Sequence, residues 1–599
     1  MKGSLYNHPR LVWLIFILII LAGYNAFQSM PRLEDPHLVS RIVNITTFYP
    51  GADASRVETE ITEKIEQKVM EVAEVKQVMT TSRPNVSVIT VELKDEVDDA
   101  TPITAKLRDK VSEVTDMPEG ALAPRFNDRR MYAHSAIIAL KWSSDTPINY
   151  AILGRHAKEI ALRLQMLEGT DFTEITGLSK EEITIALDDG VLAAHGLTAQ
   201  DVANRIRQSD ARSSAGQVKS NKNSYVIEMD GALDSLERIR RIPLKLDPVG
   251  ASLRLGDAAT VTRGHKNPQE VFAYIDGVYG VTVSARMLEN QRIDLWANKV
   301  NDIIVDYRTT LPDGIELTQI FDQSFYASER LSGLMKNLAF GAFIVVLVLF
   351  VTLGWRASLV SASILPLTLL ASLAIVSVLG FRIEQMLVTG LIVALGIMVD
   401  NAIVITDEVQ HRILSGASRS AAVGGAVRKL WLPLFGSTLT TIIAFMPLVL
   451  MPGNAGNFIG GIPAAVISSL IASYVIAFTI ISALAGRFIK HDTSNVGTHK
   501  RVWWENGITA ERLANTFKKS LEWSVSNPVK SMIIASILPF SGYYGATQLT
   551  DQFFPRSDRN QFIVQIRLPA QASLEETKIA VQKVDEILRR EKAITETSW

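Results

Sequence analysis

Cysteine is absent from all 599 residues, which excludes disulfides, thiolate metal sites and cysteine nucleophiles. Charge is scarce as well. Asp, Glu, Lys and Arg make up 21% of the chain, where a soluble domain carries about a quarter. Nor is there an excess of one sign: 61 Lys and Arg against 62 Asp and Glu leave a formal net charge of −1. That balance gives no footprint for a polyanion, so nucleic acid is not an expected partner. No GxxxxGK[ST] string occurs, which disfavours ATP as the source of energy. The nine His show no HExxH or paired spacing, and the 15 Met are scattered. Met70 and Met79, the one close Met pair before residue 334, read as core filler rather than ligands. Neither a resident metal nor a cofactor is expected.

Apolar residues are abundant, at 47%, and they come in blocks. A membrane-crossing helix needs roughly 20 mostly apolar residues to cover about 30 Å of hydrocarbon. Residues 11–27 (LVWLIFILIILAGYNAF) form the first such block. Lys2 and Arg10 ahead of it look like the start of a signal peptide. No small-x-small cleavage site follows, and Met30-Pro31-Arg32-Leu33 continues directly, so a retained span with a cytoplasmic N-terminus is expected. Further blocks cover residues 334–353, 357–380, 386–406, 430–450 and 459–486, with a weaker one at 531–549, giving seven expected spans. Basic residues favour the cytoplasmic side of short loops. Arg412, Arg419, Arg428 and Lys429 lie between spans four and five, and Arg487, Lys490, Lys500, Arg501, Arg512, Lys518 and Lys519 between six and seven. Residues 451–458, between five and six, carry none. The bias agrees with a cytoplasmic start.

Residues 28–333 then lie outside the cytoplasm and read as soluble α+β. A β-branched and aromatic strand at 41–49 ends at Pro50-Gly51. Val57, Ile61, Ile65 and Val69 make the every-fourth stripe of an amphipathic helix. Strands are expected at 86–93, 136–142, 182–187, 281–286 and 315–321, and helices at 101–114, 148–167 and 292–307. Two strand–helix–strand subdomains with a boundary near residues 127–133 account for this order better than one irregular domain. Trp503-Trp504, with Arg501, precedes an expected interfacial amphipathic helix at 511–521.

The opening pattern returns. Asn7-His8-Pro9, a span, a strand, Pro50 and then Ala54-Ser55, Glu58-Thr59 and Ile61 are matched by Asn527-Pro528, a span, the strand 561–568, Pro569, Ala572-Ser573, Glu576-Thr577 and Ile579, at an offset of 518. Twice that offset implies a protein of about 1,040 residues, of which this is the N-terminal half and the beginning of the second. Such repeats are typical of transporters with sites between the halves.

Asp400 and Asn401 sit inside the fourth block (MLVTGLIVALGIMVDNAIVIT). An ionised carboxylate at that depth costs at least about 2.5 kcal/mol and marks an ion or proton route. Gly390 and Gly396 are expected to let a neighbouring helix approach it closely. The alternative is that Asp400, about six residues from the end of the block, simply reaches water.

The string Gly396-Ile397-Met398-Val399-Asp400-Asn401-Ala402-Ile403-Val404 resembles the fourth-span motif of resistance–nodulation–division (RND) efflux pumps. Thr47-Phe48-Tyr49-Pro50-Gly51-Ala52, Leu311-Pro312-Asp313-Gly314, Phe321-Asp322-Gln323-Ser324, Phe553-Phe554-Pro555 and Asp558-Arg559 resemble family motifs in family order, over nearly the whole chain. The resemblance implies a proton antiporter of the bacterial inner membrane, not an enzyme. It would export hydrophobic or amphiphilic compounds as a homotrimer, with a periplasmic adaptor and an outer-membrane channel. The implied fold is an α-helical transmembrane bundle, seven spans here, with a large α+β periplasmic porter domain of two βαβ-type subdomains. The implied layout is span one at 1–28, the first porter subdomain at 29–130, and the second with its docking segment at 131–333. Spans two to six at 334–486, a cytoplasmic linker helix at 487–529, span seven at 530–549 and the start of a third porter subdomain at 550–599 complete it.

The resemblance makes Asp400 and Asn401 the proton relay. In the drug-pump branch two adjacent aspartates pair with a lysine from the second half; Asp400 matches the first, and Asn401 replaces the second. Thr176 precedes Gly177 where drug pumps place a pocket phenylalanine, which implies a less aromatic pocket, and residues 213–230 look short for the family's docking hairpin. A metal-exporting branch, or a non-transporting scaffold or partner subunit of a heteromeric complex, are the alternatives.

Overall fold

The computed structural model describes residues 5–36, 38–97, 99–127, 133–144, 146–210, 217–219, 224–226, 233–246, 252–266, 269, 271–489, 511–549, 559–569 and 572–599. The chain divides into two compact units. One comprises residues 1–133, 288–297 and 323–562, the other residues 134–287, 298–322 and 563–599.

In the first unit, strand Ile42–Phe48 alternates buried and half-buried residues, as a sheet with one covered face requires. It lies between Val86–Leu93 and Arg125–Asn127, and Val75–Arg83 completes a four-stranded antiparallel sheet. The covered face rests on the helical stretch from Ala54 to Met70, where Val57, Ile61, Ile65 and Val69 are fully buried. Asp53 starts that stretch by accepting from the Arg56 amide. One turn of it, Glu58–Thr62, is wound as a π-helix.

The remainder of this unit is helical. Among the described residues, six helices are long and apolar enough to cross a membrane: Pro9–Ser29, Gln323–Leu353, Trp355–Val378, Gln385–Leu414, Arg419–Val449 and Gly461–Phe488. These are spans one to six below. The first packs on the third so closely at Gly23 that a Cβ would overlap Leu370. Only spans three, four and six are largely covered by their neighbours; the others present apolar side chains outward, which suits a lipid surround.

The expected seventh span forms a helix, Pro528–Ala546, but it is not among those six, and it carries Pro539 and no buried residue. The linker helix Glu511–Ser526 precedes it.

In the second unit, Ala136–Trp142 is the centre of an antiparallel sheet, between Val278–Met287 and Ile315–Asp322. Val278–Met287 also pairs with Ala273–Ile275 and Thr170–Thr176, making five strands. Gly177, at φ +82°, lies so tightly on Ala273 that no side chain fits there. Helix Tyr150–Gln165, capped by Asn149, presents Leu153, Ala157, Ile160 and Leu164 to the core. Glu181–Leu187 pairs with Ala259–His265 over a smaller cluster. Helix Leu574–Arg589 opens on a Ser573/Glu576 capping box, and Trp599 donates its indole N–H to Asp585 at 2.9 Å.

The expected strand 561–568 is not formed. A strand exists only by pairing, and no other segment among the described residues pairs with it. Within 213–230, Gln217–Lys219 and Ser224–Val226 pair as a short antiparallel hairpin. Trp503-Trp504, Phe553-Phe554-Pro555 and Asp558 lie outside the described residues.

Candidate functional site

The fourth span is capped by Glu384, just ahead of it, whose carboxylate accepts from the Met386 and Leu387 amides and so satisfies donors that open a helix. Its buried residues, Leu387, Leu391, Ala394, Met398, Ala402, Ile405 and Val409 among them, recur at three- and four-residue steps and face the interior of the bundle. Gly390 makes the sixth-span contact possible. A Cβ there would lie 2.6 Å from the Ile462 carbonyl oxygen and 2.8 Å from the Ala465 Cβ. The polypeptides touch backbone to backbone, as small residues at membrane helix contacts allow.

Asp400 lies on the opposite side. Val393, Gly396, Asp400 and Val404 form one exposed stripe. A Cβ at Gly396 would meet nothing, so close approach, expected at both glycines, occurs within this chain at Gly390 alone. The physical reason is angular: residue 396 is six positions, or 600°, beyond 390 and so points away from the sixth span. Among the described residues no side chain donates to or pairs with Asp400.

Asn401, the next residue, turns inward and is 5% exposed. Its Nδ2 donates to Ser473 Oγ at 3.4 Å, and Ser473 Oγ donates to the Met398 carbonyl. Asp400 and Asn401 are thus adjacent in sequence but separate in environment.

More hydroxyls lie along the same interior. Ser372 of the third span and Ser468 of the sixth are 2.8 Å apart, and Ser469 donates to Ser372 at 3.0 Å. All three are buried. Ser468 also lines a cavity of about 660 Å³ that reaches the Glu384 end of the bundle, with Glu384, Arg382, Asn457, Ile375 and Met446 in its wall.

Glu384 is 5% exposed and packs against Gly461. Burial pushes its pKa up to about 7; the two amide donors pull it down, and the charge of Asp35 adds to the rise. Asp35 is itself shifted upward by burial and by Glu34. Glu34, fully buried, accepts from Arg559 at 2.7 Å and pairs with Arg330 at 3.4 Å. Arg330 also reaches Asp35 at 3.2 Å. At the other end of the fourth span Glu408 binds Arg412 at 2.7 Å and Lys429 at 2.9 Å.

Sequence reasoning missed Glu384 and the serines. The signal was present as an acid immediately before an apolar block and as Ser468-Ser469 and Ser473 within another.

Comparison with known proteins gives a consistent picture. A family described as "AcrB/AcrD/AcrF family" matches residues 3–598. An "Uncharacterized transporter" of Haemophilus influenzae is 23% identical over 96% of this chain and 55% of its own length. "Multidrug export protein AcrF" of Escherichia coli K12 is 22% identical over 100% of this chain and 59% of its own. "Toluene efflux pump membrane transporter TtgB" of Pseudomonas putida is 21% identical over 100% and 58%. The chain therefore spans between 55% and 59% of the length of these relatives.

Proposed function

The chain belongs to the AcrB/AcrD/AcrF family, and on that premise we propose that it forms part of a proton-driven permease exporting hydrophobic or amphiphilic compounds. The observation that carries this reading is Asp400: a carboxylate midway along an apolar helix, on an uncovered stripe, with no partner among the described residues. Such a charge is stable in a membrane only when it meets a cation, a proton or water. The second half of the permease supplies the cation, and the open surface at Gly396 leaves it room to approach.

Protonation of Asp400 neutralises the charge and releases that partner, and the bundle shifts. The Glu34–Arg330–Arg559 cluster joins residues just after span one, within span two and after the helix Pro528–Ala546, and in this reading those segments move together when the bundle shifts. In this reading the N-terminus is cytoplasmic, the sheet-rich regions are periplasmic porter domains, and the membrane is the bacterial inner membrane. The working unit is a homotrimer joined to a periplasmic adaptor and an outer-membrane channel. Relatives are named for multidrug and toluene efflux, which supports an apolar substrate class. Thr176 beside Gly177 points to a pocket less aromatic than a drug pump's.

The test is D400N in the intact gene product, measured as accumulation of a panel of dyes and solvents in cells lacking other pumps. Efflux of at least one compound by the native protein and its loss in D400N, at equal membrane abundance, is expected. Undiminished efflux in D400N would leave Asp400 without a role in coupling. Failure of the native protein to move any compound would favour a partner subunit.

A further inference from the structure

Glu384 takes no part in the function just proposed, yet it is a deeply buried carboxylate at the rim of the bundle. Capping a helix does not require an ionisable group, since Ser, Thr or Asn serves equally well. Among the described residues no cation is paired with it. Arg382, on the same turn, binds Glu289 at 3.3 Å instead, and Arg330 of the second span binds Glu34 and Asp35. Asp35 faces Glu384 from the segment after span one and carries like charge. Two opposite charges, Arg382 and Glu384, therefore share one cavity wall without pairing with each other.

We infer that this cavity is a site for one aminophospholipid, its ammonium on Glu384, its phosphate on Arg382 and one acyl chain between spans three, five and six. Depth, size and charge carry the inference. Arg382 and Glu384 lie in the turn between spans three and four, and Asn457 in the short helix Gly453–Ile459 before span six, so the polar rim is level with the span ends. From there the cavity runs inward past Ile375 of span three and Met446 of span five to Ile471 of span six. Span six starts at Gly461, which puts Ile471 about 15 Å further along its axis. That is half of the roughly 30 Å hydrocarbon layer. The cavity is thus one leaflet deep, polar at headgroup level and apolar at chain level. Its volume of about 660 Å³ falls within the range of roughly 300–1,000 Å³ typical of small-molecule sites.

The rim selects the headgroup. A primary ammonium carries N–H donors, as the end of a lysine does, and a carboxylate has lone pairs to spare beyond the Met386 and Leu387 amides. A trimethylated ammonium has no donor and forms no such bond. An anionic lipid without an amine would meet Glu384 as a like charge. Arg382 gives one guanidinium nitrogen to Glu289 and keeps donors for a phosphate. Burial, with the charge of Asp35, holds the Glu384 pKa up at about 7, and a bound ammonium would offset that rise. The inference requires the spans to lie in a bilayer and asks nothing of Asp400 or of export.

Ordinary annular lipid is the competing explanation, and it touches outward side chains whatever its headgroup. The experiment places the intact gene product in phosphatidylglycerol vesicles that hold a small fraction of a lipid with a photoreactive diazirine in one acyl chain. Labelled peptides are then identified by mass spectrometry. Two probes with identical chains are compared, a phosphatidylethanolamine and a phosphatidylcholine. Labelling near Ile375 and Ile467, both in the cavity wall, is expected to be at least fivefold stronger with the ethanolamine probe. E384Q retains an acceptor for the Met386 and Leu387 amides, so the helix start is preserved, and there the ratio should fall to near one. A464F, which fills the cavity from span six, should remove labelling at both places while sparing outward residues of span two. Equal labelling by the two probes, or an ethanolamine preference that survives in E384Q, overturns the headgroup assignment. Labelling that survives A464F puts the chain elsewhere and overturns the site. If either variant fails to accumulate, the two probes on the native protein, with the peptides they label, decide alone.

Discussion

A buried acid whose pKa rises on folding makes stability depend on pH, with a fixed sign. Glu384 moves from an ordinary 4.5 to about 7. Below pH 4.5 it is protonated in both states and costs nothing. Between 4.5 and 7 the unfolded chain releases its proton while the folded one holds it, so stability falls by about 3 kcal/mol across that window. Asp35 is displaced in the same direction, so the useful comparison is between variants. Thermal unfolding in detergent should show the native protein losing more of its Tm between pH 5 and pH 8 than E384Q does. Equal slopes would mean that the carboxylate is hydrated in the folded protein. Asp400 and Glu384 differ in legibility for a physical reason. Asp400 stands out because apolar residues flank it in sequence. Glu384 is followed by an apolar block but preceded by Arg382 and a turn, where a charge is commonplace, and its burial comes from tertiary neighbours such as Gly461.

Elements were readable where one side of a segment decides its burial. The stripe Val57, Ile61, Ile65 and Val69 became a buried helical face, and residues 86–93 became the strand Val86–Leu93. Residues 561–568 have the same alternation but lack a pairing partner among the described residues, and pairing is not a local property. Glycines show a similar limit: the sequence treats Gly390 and Gly396 alike, whereas the helix turns them to different surroundings. G390A should push spans four and six apart, because the nearest atom is a backbone carbonyl that cannot rotate away. A loss of about 1–3 kcal/mol, typical of overpacking, is expected as a lower Tm. G396A should leave stability within about 0.5 kcal/mol of native, as at an open surface position, so its Tm should barely move. If Gly396 admits the partner of Asp400, G396A should nevertheless reduce efflux. Identical behaviour of the two variants in both assays would contradict the assignment of separate faces.

At the scale of the molecule, the alternation of apolar blocks with sheet-forming stretches could be read directly, because lipid and water select opposite compositions over tens of residues. The seventh apolar block is the shortest of these cases: its helix, Pro528–Ala546, has 19 residues with Pro539 inside it, close to the least that crosses the hydrocarbon. Orientation depends on charge rather than on fold. The loop after the fourth span is basic, with Arg412 and Lys429 gathered on Glu408, while residues 451–458 between the fifth and sixth carry no charge. Basic loops resist translocation, so the end bearing Glu408 should remain in the cytoplasm and the end bearing Glu384 should face the periplasm. Reporter fusions test this without any transport assay. Alkaline phosphatase, active only after export, should be active when joined within residues 178–180 or 451–453, and a green fluorescent reporter should glow when joined at Gly416. The reverse pattern would put Glu384 on the cytoplasmic side and the sheet-rich regions with it, and would overturn the proposed topology.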